Sequence, residues 1–180
     1  MVARAEDYAD KVAVADGAWG TELDKLGCPA GYCREEWNVS KPELVEKVAA
    51  SYVAAGSKII LTNTFGGNRI VLAGHGFAAK TREFNEAGAA ISKRASGGQA
   101  KVFGSIGPSG KMLLIGEVDE QTLYEVFKEQ ADALAAGGAD GLVVETMADL
   151  TEAVTAVRAA KTTGLLVVGS MTFDSGRDKS

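Results

Sequence analysis

Residues 54–64 read Ala-Ala-Gly-Ser-Lys-Ile-Ile-Leu-Thr-Asn-Thr, and residues 136–146 read Ala-Gly-Gly-Ala-Asp-Gly-Leu-Val-Val-Glu-Thr. In both stretches a helical pattern ends at glycine, a short apolar run follows, and a polar residue with a threonine closes the run. Such runs, rich in Ile, Val and Leu, are typical of strands buried on both faces of a parallel sheet. The repeated strand–helix unit, with polar residues at the carboxyl end of the strand, predicts a (β/α) barrel.

The chain contains five apolar runs of strand length, separated by four longer amphipathic segments that predict helices. An open doubly wound sheet also fits five strands and is the alternative fold. A closed barrel needs eight units and ~250 residues, so we expect about the first five β/α units of a (β/α)8 TIM-barrel type, as a single partial barrel domain over residues 1–180. The predicted strands are 12–15, 59–61, 102–106, 142–144 and 165–168.

Local signals predict where the helices begin. Ser40 and Glu43 have the spacing of a capping box, with a proline between them in the first turn. Asp119 is placed to cap the third helix, and Asp149 with Glu152 to box the fourth. Glycines follow the last turns, as expected for helix ends.

The composition is that of an ordinary globular chain. Its 180 residues include 19 Lys and Arg against 24 Asp and Glu, which gives a formal net charge of −5. This acidic balance argues against a general nucleic-acid or anionic-membrane surface. No apolar run approaches the ~18–20 residues that span a bilayer, and the first residues carry acids without an apolar signal core. We therefore expect a cytoplasmic protein with no nucleic-acid and no membrane partner.

Polar side chains collect at the predicted carboxyl ends of the strands, where (β/α) barrels place their active sites. Asp16 follows the first strand, Asn63 and Thr64 follow the second, Ser105 lies near the end of the third, and Glu145 follows the fourth. Two carboxylates beside amides and hydroxyls suit an ammonium group. They also fit an acid/base pair of the glycosidase kind. A structural alternative is a pair of caps, Asp16 for a turn and Glu145 for a helix, but their position at strand ends favours a functional role.

The remaining chemistry-bearing side chains give weaker signals. Cys28 and Cys33 form Cys-x4-Cys with no neighbouring histidine, which favours two reduced, partly buried thiols over a metal site. The single histidine, His75, lies between glycines and predicts an exposed loop. We expect Trp19 and Phe65, which follow strands, to face the pocket.

Several motifs resemble the homocysteine S-methyltransferase family, and most closely the homocysteine-binding domain of cobalamin-dependent methionine synthase and related corrinoid methyltransferases. The resemblance runs from about residue 12 to the end of the chain. The motifs are 16–23 (Asp-Gly-Ala-Trp-Gly-Thr-Glu-Leu), 37–38 (Trp-Asn), 61–68 (Leu-Thr-Asn-Thr-Phe-Gly-Gly-Asn), 104–110 (Gly-Ser-Ile-Gly-Pro-Ser-Gly), 144–147 (Val-Glu-Thr-Met) and 170–174 (Ser-Met-Thr-Phe-Asp).

This resemblance implies a (β/α)8 barrel that transfers a methyl group to a thiol such as homocysteine. In the family a zinc ion held by three cysteines binds the thiol as thiolate, and the methyl group comes from methylcobalamin or another donor, possibly on a corrinoid protein or partner domain. The implied substrate-binding residues include Asp16 and Glu145, which match the acids that hold the substrate amino group. The others are Gly17, Asn63, Thr64, Phe65 and Ser105.

The chain departs from the family pattern at the metal. The family's zinc cysteines lie at the sixth strand and as a Cys-Cys pair near the eighth, and Cys28 and Cys33 do not match them. We therefore expect no zinc ligands here, no catalytic residue that can be named, and self-association or a complementing chain. The alternatives are a corrinoid-linked methyltransferase for another methylated substrate and a non-catalytic half-barrel that binds a small molecule.

Overall fold

The structure is a computed structural model, and it describes residues 3–8, 12–113 and 115–173. Its sheet has the order β1-β2-β3-β4 with every pair parallel, so the predicted parallel strands in chain order are confirmed. The doubly wound alternative, with the first strand at the centre, is not the order seen. Asp174, which ends the last motif, lies outside the described residues. The strands are β1 (Ile59–Ile60), β2 (Lys101–Ile106), β3 (Gly141–Met147) and β4 (Leu166–Met171).

The described part of the chain also contains seven α-helices and three short 3-10 turns, which lie before β1 and between the strands. The four predicted helices are all present, and three shorter ones occur within loops. In the described ranges no helix is both long and apolar enough to cross a membrane. The helices are α1 (Trp19–Lys25), α2 (Trp37–Ser40), α3 (Pro42–Ala54), α4 (Arg69–Gly74), α5 (Thr81–Ser96), α6 (Glu120–Ala136) and α7 (Leu150–Lys161); the 3-10 turns are Ala5–Asp7, Arg34–Glu36 and Ala78–Lys80.

The first predicted strand, 12–15, is reduced to a single bridge. Ala15 pairs in parallel with Ile59, and the amide of Lys58 donates to the carbonyl of Val14 at 2.8 Å. Val12 is 97% exposed and Val14 is 62% exposed. Without burial or a second neighbour, these β-branched residues gain too little to extend the ladder.

The four long helices lie on one face of the sheet. Strand order follows chain order and every pair is parallel. Because crossovers between parallel strands are right-handed in nearly all proteins, each helix returns on the same side of the sheet. This is the arrangement of a barrel wall. On the opposite face, a cavity of about 380 Å³ is lined by small and apolar side chains. These are Ala5, Tyr8, Ala13, Ile59, Phe103, Leu166 and Val168.

The helix starts follow local chemistry at two of the three predicted caps. Asp119 accepts a hydrogen bond from the Thr122 amide, and Asp149 accepts one from the Glu152 amide, so both caps are as predicted. The reciprocal box predicted for Asp149 and Glu152 does not form, because Oε1 of Glu152 accepts from the Ser109 amide at 2.7 Å instead. The Ser40 capping box is wrong, because the Ser40 hydroxyl donates to Glu36 at 2.7 Å and the helix begins after Lys41 without a side-chain cap.

Candidate functional site

A cavity of about 370 Å³ lies at the carboxyl ends of β1, β2 and β3. Six of the seven predicted substrate-binding residues line it, and Asp16 lies directly behind the lining. Trp19 also lines it, as expected. The lining consists of Gly17, Ala18, Trp19, Gly20, Tyr32, Cys33, Arg34, Glu35, Leu61, Thr62, Asn63, Thr64, Phe65, Gly66, Val71, His75, Ser105 and Glu145.

Ser105 and Glu145 form a hydrogen-bonded pair across neighbouring strands. Ser105 is buried near the end of β2, and its hydroxyl donates to Oε1 of the half-buried Glu145 at 2.5 Å. In the described part of the chain, no hydrogen bond occupies Oε2 of Glu145. One carboxylate oxygen is therefore fixed by the protein, and the other is available to a ligand in the cavity.

The backbone of β3 is irregular where Glu145 lies. The pairing of β3 with β4 shifts register between Val144 and Met147. Within this irregularity Thr146 has φ of 61°, a left-handed conformation that a β-branched residue rarely adopts. Such strain costs of order 1–3 kcal/mol and is found preferentially at functional sites, where bulges re-aim side chains. The irregularity sets the direction in which Glu145 leaves the strand.

Asp16 is hydrogen-bonded to two residues that line the cavity. Its Oδ2 accepts hydrogen bonds from the Trp19 indole at 2.8 Å and from the Leu61 amide at 2.6 Å. Burial raises the pKa of the Asp16 carboxyl, and the charge of nearby Glu145 raises it further, although the hydrogen bonds from Leu61 and Trp19 oppose the shift. Asp16 thus ties the first loop to β1 and places a second acid close to Glu145.

Asn63 and Thr64 line the cavity, but their donor groups point to the protein. The Asn63 amide donates to the Arg34 carbonyl at 2.7 Å and to Asn38 Oδ1 at 2.9 Å. The Thr64 hydroxyl donates to the Ser105 carbonyl at 2.8 Å. The structure therefore gives these two side chains a positioning role in the wall of the cavity.

Phe65 and Gly17 line the cavity at points of close approach. Phe65 is 44% exposed, and its carbonyl accepts a hydrogen bond from the Gly107 amide at 3.0 Å. A Cβ at Gly107 would come within 2.7 Å of the Phe65 ring, so only glycine leaves room for the ring at this position. A Cβ at Gly17 would meet the Tyr52 hydroxyl at 3.2 Å. The Tyr52 hydroxyl donates to the Ala18 carbonyl at 2.9 Å, which ties Tyr52 to the loop that contains Gly17.

Glu35 is a buried carboxylate of the cavity that the strand-end rule does not find. One of its oxygens accepts from the Gly66 amide at 2.7 Å, and the other from the Cys33 thiol at 3.5 Å. Glu35 lies in the 3-10 turn between α1 and α2. The only sequence feature that could have marked it as a cavity residue is its position just before the Trp-Asn motif. Arg34 enters the cavity from the same turn. His75 ends α4 as an exposed residue, as predicted, and also lines the rim.

The cysteines do not fit the zinc site that the family implies. Both are buried free thiols. Burial, followed by the charge of Glu35, raises the pKa of Cys33 to about 12, and burial raises the pKa of Cys28. A metal needs the thiolate form, and within residues 3–8, 12–113 and 115–173 no group of three or more His, Cys, Asp or Glu side chains could hold one.

The fold and the cavity define a protein of the (β/α)-barrel class with a cavity at the carboxyl ends of its strands, where proteins of this class place their ligand sites. Residues 13–180 match the homocysteine S-methyltransferase family, and the chain belongs to this family of methyltransferases. It is 32% identical over 166 residues to methionine synthase of Mycobacterium leprae (strain TN), a match that covers 84% of this chain and 14% of that protein. For methionine synthase of Mycobacterium tuberculosis (strain ATCC 25618 / H37Rv) the identity is 31% over 163 residues, and the match covers 83% of this chain and 14% of that protein.

The fold is also similar to solved barrels. The homocysteine methyltransferase MmuM from Escherichia coli matches in its metallated form with a TM-score of 0.76 at 22% identity, covering 93% of this chain and 64% of that one. Its oxidized form matches with a TM-score of 0.77 at 22% identity, and the match covers 94% of this chain and 64% of that one. The chain therefore spans about two thirds of this barrel and a small part of the methionine synthases.

Proposed function

We propose that the cavity binds an amino-acid thiol such as homocysteine, and that the chain is the substrate-side part of a methyltransferase barrel, one domain over residues 1–180. The observation that carries this proposal is the Ser105–Glu145 pair, which leaves one carboxylate oxygen of Glu145 open to the cavity. Family membership supports methyl transfer as the reaction class.

The anchor of the substrate amino group follows from charge. An ammonium that enters the cavity meets the open oxygen of Glu145, with Asp16 close behind it. Charge-assisted hydrogen bonds of this kind stabilise a cation that is partly removed from water. Ser105 holds Glu145 in place from the neighbouring strand, so the anchor is ordered before the ligand arrives.

The thiol end of the substrate has no activating group in this proposal. Zinc would supply a thiolate, but Cys28 and Cys33 are buried and protonated at neutral pH, so no step through zinc is derived from them. A corrinoid protein or domain as the methyl donor, and a cytoplasmic location, stay predictions from the sequence.

A second candidate is a non-catalytic half-barrel that binds the amino acid without transferring a methyl group. The buried, protonated thiols favour this candidate for the chain taken alone. An assay for methionine formation with homocysteine, zinc and methylcobalamin separates the two. We expect binding without turnover from the 180-residue chain, whereas turnover would establish catalysis by this chain.

Binding itself is tested by calorimetric titration of the chain with homocysteine. We expect Glu145→Gln to weaken binding by about 1.5–3 kcal/mol, the range for a hydrogen bond to a charged group. Glu125→Gln, at an exposed position on α6, is the matched control and should bind like the parent. Equal affinity of all three folded proteins would contradict the anchor.

We also propose that the chain associates with itself or with a complementing chain. Val12 is 97% exposed, and Val168, which is 43% exposed, lines the apolar cavity of about 380 Å³. Open apolar faces and strand edges favour association. Light scattering at micromolar concentration should give a mass above that of one chain, and a monodisperse monomer would overturn the self-association.

A further inference from the structure

The ladder between β1 and β2 ends before it reaches Ser105. The two strands pair only at Ile59 with Lys101 and at Ile60 with Val102, and Ser105 lies further along β2. Ser105 is 2% exposed, so water is not available to its backbone. Because buried backbone donors and acceptors are almost always paired, Ser105 needs partners from outside the ladder on the side of β1.

The partners are two threonine hydroxyls in the loop after β1. The Ser105 amide donates to Oγ1 of Thr62 at 3.0 Å, and the Thr64 hydroxyl donates to the Ser105 carbonyl at 2.8 Å. The two hydroxyl oxygens lie 2.5 Å apart. Thr62 and Thr64 are both buried, so these bonds are shielded from competition by water.

The bond between the two threonines has a fixed direction, because a hydroxyl carries a single proton. Thr64 gives its proton to the Ser105 carbonyl, so the Thr62 hydroxyl is the donor to Thr64. The hydrogen bonds therefore run from the Ser105 amide through both hydroxyls and back to the Ser105 carbonyl. We call Thr62, Thr64 and the Ser105 backbone the hydroxyl ring. Bonds connected in this way strengthen one another.

The hydroxyl ring holds the residue whose side chain orients Glu145. The Ser105 hydroxyl donates to Oε1 of Glu145 at 2.5 Å. Gln130 on α6 supports the ring, because its Nε2 donates to the Thr64 carbonyl at 2.8 Å and to the Ser105 carbonyl at 3.4 Å. With both its N–H and its C=O bound, the Ser105 backbone keeps one orientation, and its hydroxyl keeps its direction toward Glu145.

We propose that Thr62 is a positioning residue of the site, which acts through the hydroxyl ring on Ser105 and through Ser105 on Glu145. Thr62 lines the cavity, but its hydroxyl is used within the protein, as acceptor from Ser105 and donor to Thr64. This inference rests on the proposed function, because the orientation of Glu145 affects binding only if Glu145 contacts the ligand.

The experiment measures homocysteine affinity by calorimetric titration of the parent chain and of variants that break the hydroxyl ring. Thr62→Val keeps the shape of the side chain and removes its hydroxyl, whereas Thr62→Ser keeps the hydroxyl. Thr64→Val breaks the ring at its other threonine and gives an independent measurement. Circular dichroism confirms that each variant is folded.

Thr155→Val on α7 is the matched control. Thr155 is 1% exposed, and among the described residues its hydroxyl has no hydrogen-bond partner. The control therefore makes the same chemical change at a buried threonine, without breaking a hydrogen bond.

We expect Thr62→Val and Thr64→Val to weaken homocysteine binding by about 5- to 20-fold, within the range for residues of one hydrogen-bond network. Thr62→Ser and Thr155→Val should stay within about 2-fold of the parent. The decisive comparison is a double-mutant cycle with Ser105→Ala. In that background Thr62→Val should change affinity by less than about 2-fold, because no serine hydroxyl is left to orient.

The inference and the proposed function fail in different ways. If Thr62→Val weakens binding by the same factor with and without Ser105→Ala, Thr62 acts independently of Ser105 and the inference is overturned. Unchanged affinity in folded Thr62→Val and Thr64→Val also overturns it, while the proposed function stands. A folded parent that does not bind homocysteine overturns both.

Discussion

Two regions of the molecule are stabilised by different interactions. Around the end of β1, seven buried polar side chains form what we call the amide region: Asn38, Thr62, Asn63, Thr64, Asn68, Asn85 and Gln130. Between β2, β3, α6 and α7, fully buried hydrophobic side chains form the apolar region: Ile106, Leu123, Phe127, Leu134, Leu142, Val144 and Met147.

The two regions contribute differently, one to the stability of the fold and the other to the geometry of the cavity. Burial of apolar surface is strong but non-directional, whereas a hydrogen bond fixes both distance and angle. β1 contributes only two residues to the ladder, so the loop that walls the cavity is held by amides instead. Asn38 donates to the Asn63 carbonyl, Gln130 to the Thr64 carbonyl and Asn85 to the Gly67 carbonyl, at 2.7–2.8 Å. Most of the stability should therefore lie in the apolar region, and the geometry of the cavity in the amide region.

The largest effect is expected from truncation in the apolar region. Phe127 is fully buried at the centre of α6, and Phe127→Ala should lower the free energy of unfolding by about 3–5 kcal/mol through lost burial and a cavity. Urea denaturation followed by circular dichroism measures it. Val154→Ala on α7, at a side chain that is 48% exposed, is the control and should cost far less. Equal costs at the two positions would remove the distinction between core and surface.

A truncation in the amide region should combine a smaller stability loss with a loss of binding. Asn38→Ala removes donors to the Asn63 and Phe84 carbonyls and the acceptor of the Asn63 amide, leaving buried groups unpaired. The expected cost is about 1–3 kcal/mol. Homocysteine affinity should fall in the variant, while Phe127→Ala, where it remains folded, should bind like the parent. Ser40→Ala, at an exposed hydroxyl nearby, is the control. Binding that survives Asn38→Ala would show that the amides do not set the cavity.

Gly107 tests the contact between the two regions. A Cβ there would come 2.7 Å from both the ring and the carbonyl oxygen of Phe65, so Gly107→Ala should cost about 1–3 kcal/mol and displace Phe65 from the cavity. Gly74→Ala is the matched control, because no atom lies within 4 Å of its Cβ position. Gly74→Ala should leave the free energy of unfolding unchanged or raise it slightly. If Gly107→Ala leaves the free energy of unfolding unchanged, the loop that carries Phe65 can move to accommodate the added methyl group.

The smallest effect concerns the pH dependence of stability. The folded state raises the pKa of Asp16, chiefly through burial, so the unfolded chain ionises first as pH rises from the ordinary Asp value of about 3.9. Asp16 therefore destabilises the fold increasingly across the window between its ordinary and raised pKa. Asp16→Asn, whose amide oxygen can still accept from Trp19 and Leu61, should gain stability relative to the parent as pH rises through that window.

Asp119 supplies a control of opposite sign. Hydrogen bonds from Thr122 lower the pKa of its carboxyl, so its stabilising effect is present above the ordinary Asp pKa and is lost as pH falls. Denaturation of Asp16→Asn and Asp119→Asn at several pH values between 3 and 7 should thus give differences from the parent that change in opposite directions. Parallel curves for all three proteins would refute the assignment for Asp16.

The sequence predicted those features that depend on neighbours along the chain or on topology. Asp119 and Asp149 cap helices because a cap needs only an amide three residues away. Ser105 and Glu145 line the cavity because parallel strands bring their carboxyl ends to one edge. The bridge at Ala15 replaced a full strand because ladder length depends on burial by residues far away in sequence.

The features that escaped prediction depend on partners that only the folded chain defines. Ser40 had the right spacing for a box, but Glu36 competes for its hydroxyl. Glu35 and Arg34 reach the cavity from a 3-10 turn, because Asn63 and Gly66 bind that turn from another element. Whether the polar atoms of Asn63 face a ligand or the protein is decided by those same partners.

The agreement of strand order with chain order has a consequence for how the chain folds during synthesis. Each of β2, β3 and β4 pairs with the strand that immediately precedes it in the chain, which has already been synthesised. A nascent chain emerging from the ribosome can therefore add one strand and one helix at a time to a platform already formed. The loop after β1 is an exception, because Gln130 on α6 must arrive before the Thr64 carbonyl finds its donor. We expect the strands to associate in order of synthesis, and the cavity wall to become rigid only after α6 has left the ribosome.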